Sequence, residues 1–216
     1  MSHNHLQQLN GGSFSGLIAL RSLELSHNRL EQLTGQAIAG MDSLQALFVR
    51  QNRLIAIPAH ALRILKSVRL VDLSHNEHIQ QLRELDFAHN FARRIVLNGL
   101  TRLHRIHRLT FFDLPALLDV RLRGARSLTY LDEQAFAGTS QLRSLSLQKS
   151  GLYALDAKLL DALGRHTQPN GRRVRLELGG SAFSCNCLIK PIHNVSVIMK
   201  ITKQLFLFFF LVCFSV

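Results

Sequence analysis

The sequence predicts an α/β solenoid, a stack of coils with a concave parallel β-sheet on its inner side and irregular or short helical returns on its convex side. Three observations predict it. Leu20, Leu23 and Leu25 lead to Asn28 and are followed by Leu30, Leu33, Ile38 and Met41, after which Leu44 opens the next copy. The turn position recurs at Asn4, Asn28, Asn52 and Asn76, each 24 residues after the last. The landmarks between turns recur too, with Leu6, Leu9, Phe14, Leu17 and Leu20 matching Leu54, Ile57, Leu62, Leu65 and Val68. A short strand that points Leu23 and Leu25 inward cannot bury them within one coil, so copies must stack, about eight of them over this length.

The first copy starts inside the pattern, because Met1 falls on the slot of Leu25, and Ser2, His3 and Asn4 repeat Ser26, His27 and Asn28. Pro58 follows the returning Ile57, where no ladder donor is needed. After Asn76 the run Leu82 to Asn90 imitates a strand and turn. A turn only 14 residues after Asn76 leaves too little chain to complete a coil, so the main turns are placed at Leu100, Ala125 and Ser150. Their inward pairs are Ile95 and Leu97, Val120 and Leu122, and Leu145 and Leu147. Loss of the asparagine amide there removes bonds to neighbouring coils, so these later coils are expected to be less regular than the first four. Gln168 to Gly171 reads as a turn or protruding loop, and Val174, Leu176 and Leu178 make a final short strand.

The spacing L-x-x-L-x-L-x-x-N-x-L resembles that of leucine-rich-repeat proteins, and the resemblance covers about Met1 to Leu188. Phe183, Cys185, Cys187 and Leu188 resemble the start of the cysteine-containing C-terminal cap of the typical extracellular members, including Slit-like, Toll-like and chaoptin-like arrays. Ser181 and Ala182 stand where that cap has Asn and Pro. The chain then divides into a repeat array at 1–180, an incomplete cap at 181–190 and an atypical hydrophobic tail at 191–216. The resemblance implies a non-catalytic module that binds a protein ligand or receptor, in a fragment of a longer extracellular, cell-surface or membrane-attached protein. An intracellular repeat scaffold and a membrane-tethered adaptor are the alternatives, the first because the opening MSHNHLQQL shows no secretory signal.

All three cysteines, Cys185, Cys187 and Cys213, lie in the last 32 residues, so the repeat body holds no disulfide or cysteine-ligated metal. In the resembled cap Cys185 and Cys187 each bond a later cysteine. Only Cys213 follows, so an unfinished cap with a free thiol is expected. Leu205 to Val216 is a charge-free apolar run of 12 residues, shorter than a helical span requires. Counting back to Val195 takes in Lys200 and Lys203. Three readings of this tail stay open: the abnormal ending of a truncated gene model, a membrane-associated tail, and a buried capping element. Asn194 heads the single sequon named here, a possible glycosylation site in the same tail.

Side chains alternate across a strand, so positions two, four and six before each turn face the open side of the sheet. The middle row reads Glu24, Phe48, Asp72, Val96, Arg121 and Ser146. One flanking row reads Ser22, Ala46, Leu70, Arg94, Asp119 and Ser144, and the other Ser26, Arg50, Ser74, Asn98, Arg123 and Gln148. Apolar anchors with an arginine rim make a protein-binding surface, and the candidate partner-binding set is Phe48, Arg50, Leu70, Asp72, Arg94, Val96, Arg121 and Arg123. A further row, Arg21, Arg69, Arg93 and Arg143, adds positive field, and the net charge of +12 favours an anionic surface or a sulfated glycan as an additional partner. Basic residues are not interleaved with stacking aromatics, so nucleic acid is not expected. His3, His27 and His75 are explained by repetition. His104 and His107 have a spacing that suits zinc on a helix but lack a third ligand, so no metal is expected. With neither a nucleophile–base constellation nor a glycine-rich phosphate loop, no enzyme activity and no cofactor are expected.

Overall fold

The computed structural model describes residues 1–165 and 174–181. Its elements in chain order are β1 (Ser22–Glu24), β2 (Ala46–Phe48), α1 (Ala59–Ile64), β3 (Leu70–Asp72), β4 (Gln81–Leu82), β5 (Arg94–Val96), β6 (Arg105–Ile106), β7 (Asp119–Arg121), β8 (Tyr130–Leu131), β9 (Ser144–Ser146), α2 (Ala157–Arg165) and β10 (Arg175–Glu177). Seven strands form one parallel sheet in the order β1-β2-β3-β5-β7-β9-β10. Each coil contributes one strand, as the solenoid requires. The first coil joins through its backbone alone, His3 N–H donating to the Ser26 carbonyl at 3.1 Å.

The interior is a set of files running along the stack. Leu25, Val49, Leu73, Leu97, Leu122 and Leu147 are all fully buried, one above another. A second file, Leu47, Val71, Ile95, Val120 and Leu145, is equally inaccessible. The returns supply the opposite wall through Leu30, Leu54, Leu103 and Leu128. Each layer lends its neighbours the apolar cover that a three-residue strand cannot find in its own coil.

The early turns are stitched between coils by asparagine. Asn52 donates through Nδ2 to the Leu25 carbonyl of the preceding coil at 2.9 Å, while its Oδ1 accepts from the Leu30 amide at 3.0 Å. Asn76 does the same to Val49 and Leu54, at 2.9 and 3.1 Å. Asn28 reaches the Met1 carbonyl and the Leu6 amide, at 2.9 and 3.1 Å. Asn4, with no coil before it, is exposed and bonds only within its own turn, to the carbonyls of Met1 and Ser2.

The coils beyond Asn76 depart from the expected loss of regularity. Gly99 and Gly124 take the left-handed slot, with φ of 67° and 76°, that His27, Gln51 and His75 occupy earlier. Their amides donate to the carbonyls of Arg123 and Gln148 at 2.7 and 2.8 Å. Glycine and backbone bonding therefore make the bend without the asparagine, and Leu100 and Ala125 fill its space as buried apolar groups. The strand pairing keeps step through β5, β7 and β9.

These same coils also gain a second parallel sheet, β4-β6-β8, on the return side. Beneath it Phe87, Phe111 and Phe136 stack with ring centroids 5.1 and 4.8 Å apart. The run Leu82 to Asn90 belongs to this return limb, where Leu85 and His89 hold left-handed turns. The main strand of that coil is β5. His104 and His107 flank β6 and do not share a helix.

The last described coil is longer, with 31 residues between paired Ser144 and Arg175, and it accommodates α2. Ser181, which the sequence pattern assigns to the cap, lies in the turn slot of this coil. Its hydroxyl donates to the Leu147 carbonyl at 3.1 Å and accepts from the Ser150 amide at 3.0 Å. Residues 182–190 with Cys185 and Cys187, the tail 191–216 with Asn194 and Cys213, and the loop at Gln168 to Gly171 lie outside the described residues. Among the described residues no helix is long and apolar enough to cross a membrane.

Candidate functional site

The strand face of the seven-stranded sheet carries the candidate site. Parallel pairing puts Ser22, Ala46, Leu70, Arg94, Asp119 and Ser144 in one row across the strands. Glu24, Phe48, Asp72, Val96, Arg121 and Ser146 form the next. Phe48 and Leu70 are half-buried, so each shows part of an apolar side chain on this face. Val96 is only 8% exposed and offers little to a ligand. Asp72 stands between Phe48 and Val96, which divides the apolar residues that the sequence groups together.

The arginines do not form a free rim. Arg50 pairs with Asp72 at 3.6 Å. Arg94 and Arg121 both direct Nε to one oxygen of Asp119 at 2.9 Å. Arg123 meets Glu177 at 2.8 Å and also donates to the Ser146 hydroxyl at 3.0 Å. Each of these arginines keeps between 40 and 51% of its side chain exposed, whereas the three carboxylates keep 13 to 15%. The acids therefore lie low on the sheet and the guanidiniums reach over them. Such partly exposed pairs contribute little net stability, on the order of 1 kcal/mol or less each; their larger effect is to fix where the guanidiniums stand.

Glu177 shows the balance on one group. Burial pushes its carboxyl up, but hydrogen bonds from Arg123 and Ser146 and the charges of Arg123 and Arg175 outweigh this and hold it below the usual carboxylate range. It therefore stays ionised in the site.

A depression of about 320 Å³ opens over β5, β7, β9 and β10, and Arg94, Arg121, Arg123, Arg143, Arg175, Asp119 and Glu177 line it. The sequence rows stopped at Gln148 and left out Arg175 and Glu177, because the last coil breaks the 24- to 25-residue spacing. The alternation Val174, Leu176, Leu178 was the available signal, since it turns the intervening residues outward. Elsewhere, His107 Nε2 lies 3.1 Å from the Gln81 amide oxygen and His104 Nδ1 lies 3.4 Å from the Arg102 carbonyl, so the two imidazoles have separate partners. Among the described residues no group of three His, Cys, Asp or Glu side chains is arranged to hold a metal ion.

Residues 1–54 and 27–77 match the family model described as leucine-rich repeat. No curated protein matches the sequence significantly. Among solved structures the chain is similar to human 5T4 (Wnt-activated inhibitory factor 1, trophoblast glycoprotein), at 19% identity and a TM-score of 0.66, over 93% of this chain and 76% of that one. It is similar to Drosophila Toll in the Toll–Spatzle complex, at 24% identity and a TM-score of 0.72, over 85% of this chain and 23% of that one. Its similarity to TLR13 in the TLR13–ssRNA13 complex is 23% identity and a TM-score of 0.58, over 83% of this chain and 27% of that one. The chain thus spans about a quarter of the length of the latter two chains. At these identities the likeness is one of fold. Repeat spacing, sheet order and structural likeness agree: the chain is a leucine-rich-repeat solenoid.

Proposed function

We propose that this chain is a non-catalytic binding module that receives a protein ligand on the strand face of its sheet, within an extracellular or membrane-attached protein. The observation that carries the proposal is the pair Phe48 and Leu70, apolar and half-buried on a face whose charged neighbours are already ion-paired. An apolar anchor within a polar surround is what a partner desolvates with most gain. The fold supports the reading as well, since Toll, one of the similar structures, was solved with Spatzle bound. The cell-surface placement rests on the likeness to such proteins.

The test is to identify partners by cross-linking to the full chain and then to titrate each purified partner against wild type and a Phe48→Ser/Leu70→Ser variant. We expect the double variant to bind at least about tenfold more weakly while its thermal unfolding is little changed. Equal affinity would remove this face from the interface.

A further inference from the structure

The groove over β5, β7, β9 and β10 has the marks of a site for carboxylates. Asp119, 9% exposed, accepts the Nε of Arg94 and of Arg121 on one oxygen. Held by Nε, each guanidinium keeps its two terminal amino groups for another anion, and its fork is oriented before the ligand arrives. Arg143 and Arg175 form no salt bridge with any described residue. Five arginines line the groove against two carboxylates, Asp119 and Glu177, so three positive charges are left unmatched.

The cationic end runs directly into the apolar one. Leu70 lies beside Arg94 on neighbouring strands, and Val96 beside Arg121. A ligand that satisfies both ends must carry carboxylates and apolar side chains on one side, which a polypeptide does and a sulfated glycan does not. Asp119 and Glu177 also repel a dense polyanion, whereas a short acidic run needs only the three unmatched charges.

We propose that this groove receives the acidic side chains of an extended protein segment whose apolar residues reach Leu70 and Phe48. The proposal rests on the reading of the strand face as a protein-binding surface and names the chemistry of its ligand. Arg143 and Arg175 make bidentate contacts with the ligand carboxylates, and Asp119 acts as a positioning residue.

The probe is a fluorescein-labelled peptide, Glu-Gly-Leu-Gly-Glu-Gly-Glu, in which glycine spacing puts glutamate and leucine on one side of an extended chain. Its Gln-for-Glu counterpart and heparin serve as comparison ligands, and binding to the full chain is followed by anisotropy. We expect the glutamate peptide to bind at least about tenfold more tightly than the glutamine peptide. Arg143→Glu/Arg175→Glu should abolish that preference, while Arg21→Glu/Arg29→Glu, at the far end of the array, should keep most of it. Failure of the glutamate peptide to bind, equal loss in both double variants, or heparin binding that ignores Arg143 and Arg175 while displacing the peptide would each overturn the proposal. If the peptide result fails while Phe48→Ser/Leu70→Ser still weakens a protein partner, only the acidic-ligand assignment falls. If both fail, the strand face itself is excluded.

Discussion

Asn52 donates its side-chain amide to the main-chain carbonyl of Leu25, one coil away, at 2.9 Å, and the bond is buried. The same side chain also accepts from the Leu30 amide and donates to the Val49 carbonyl of its own coil. One residue thereby satisfies backbone groups in two layers. Replacing Asn52 with Ala leaves these groups without partners in an apolar interior. We expect a loss of about 2–3 kcal/mol for Asn52→Ala and less than about 0.5 kcal/mol for Asn4→Ala, whose side chain is exposed. Urea unfolding of the two variants provides the comparison.

Phe111 lies between Phe87 and Phe136 in a stack that crosses three coils, and it is fully buried. Phe111→Ala removes the middle ring and leaves a cavity with two flat walls. The expected cost is about 3–5 kcal/mol. Phe112→Ala, at a half-buried position next in sequence, is expected to cost less than half as much. Similar losses in the two variants, measured by thermal unfolding, would mean that the stack does not join the coils.

Gly99 holds φ at 67°, and a methyl group added there would run into the His75 ring. Gly99→Ala therefore meets both a left-handed backbone and a steric clash. A destabilisation of about 1–2 kcal/mol is expected. Combining it with His75→Ala should recover the steric part and leave the backbone part, a separation that chemical unfolding of the single and double variants can measure.

Asp86 is buried in the return limb, and its carboxylate accepts from the Arg83 amide at 2.6 Å. Burial raises its pKa from 3.8 to about 6, against the smaller lowering effects of that hydrogen bond and of the Arg83 charge. Between about pH 4 and pH 6 the folded chain keeps a proton that the unfolded chain has released. Asp86 thus favours unfolding as pH rises through that window, by on the order of 2–3 kcal/mol once both states are ionised. Asp86→Asn retains an acceptor for the Arg83 amide and has no charge to bury. It should be more stable than wild type at pH 7 and lose this part of the pH dependence. A wild-type stability profile that rises from pH 4 to pH 6 by the same amount as the variant's would refute this account.

The repeat was legible because its residues act locally and recur. Leu23, Leu47 and Val71 alternate with polar neighbours in the same way in each coil, and a side-chain period of two assigns them to the interior without knowledge of the neighbours. From the sequence alone followed the stacking, the strand rows, the choice of β5 over the Leu82–Asn90 run, and the exposed sides of Phe48 and Leu70. Tertiary structure decided what depends on contacts between coils. Asp119 became the common partner of Arg94 and Arg121 only when β5 and β7 lay side by side, and Glu177 reached Arg123 across 54 residues of chain. The later turns kept their step because glycine and interlayer backbone bonds replaced the asparagine, and an exchange of that kind is visible only once adjacent layers are in place. Periodicity reports which way a side chain points; the partner it meets is set by the layer stacked against it.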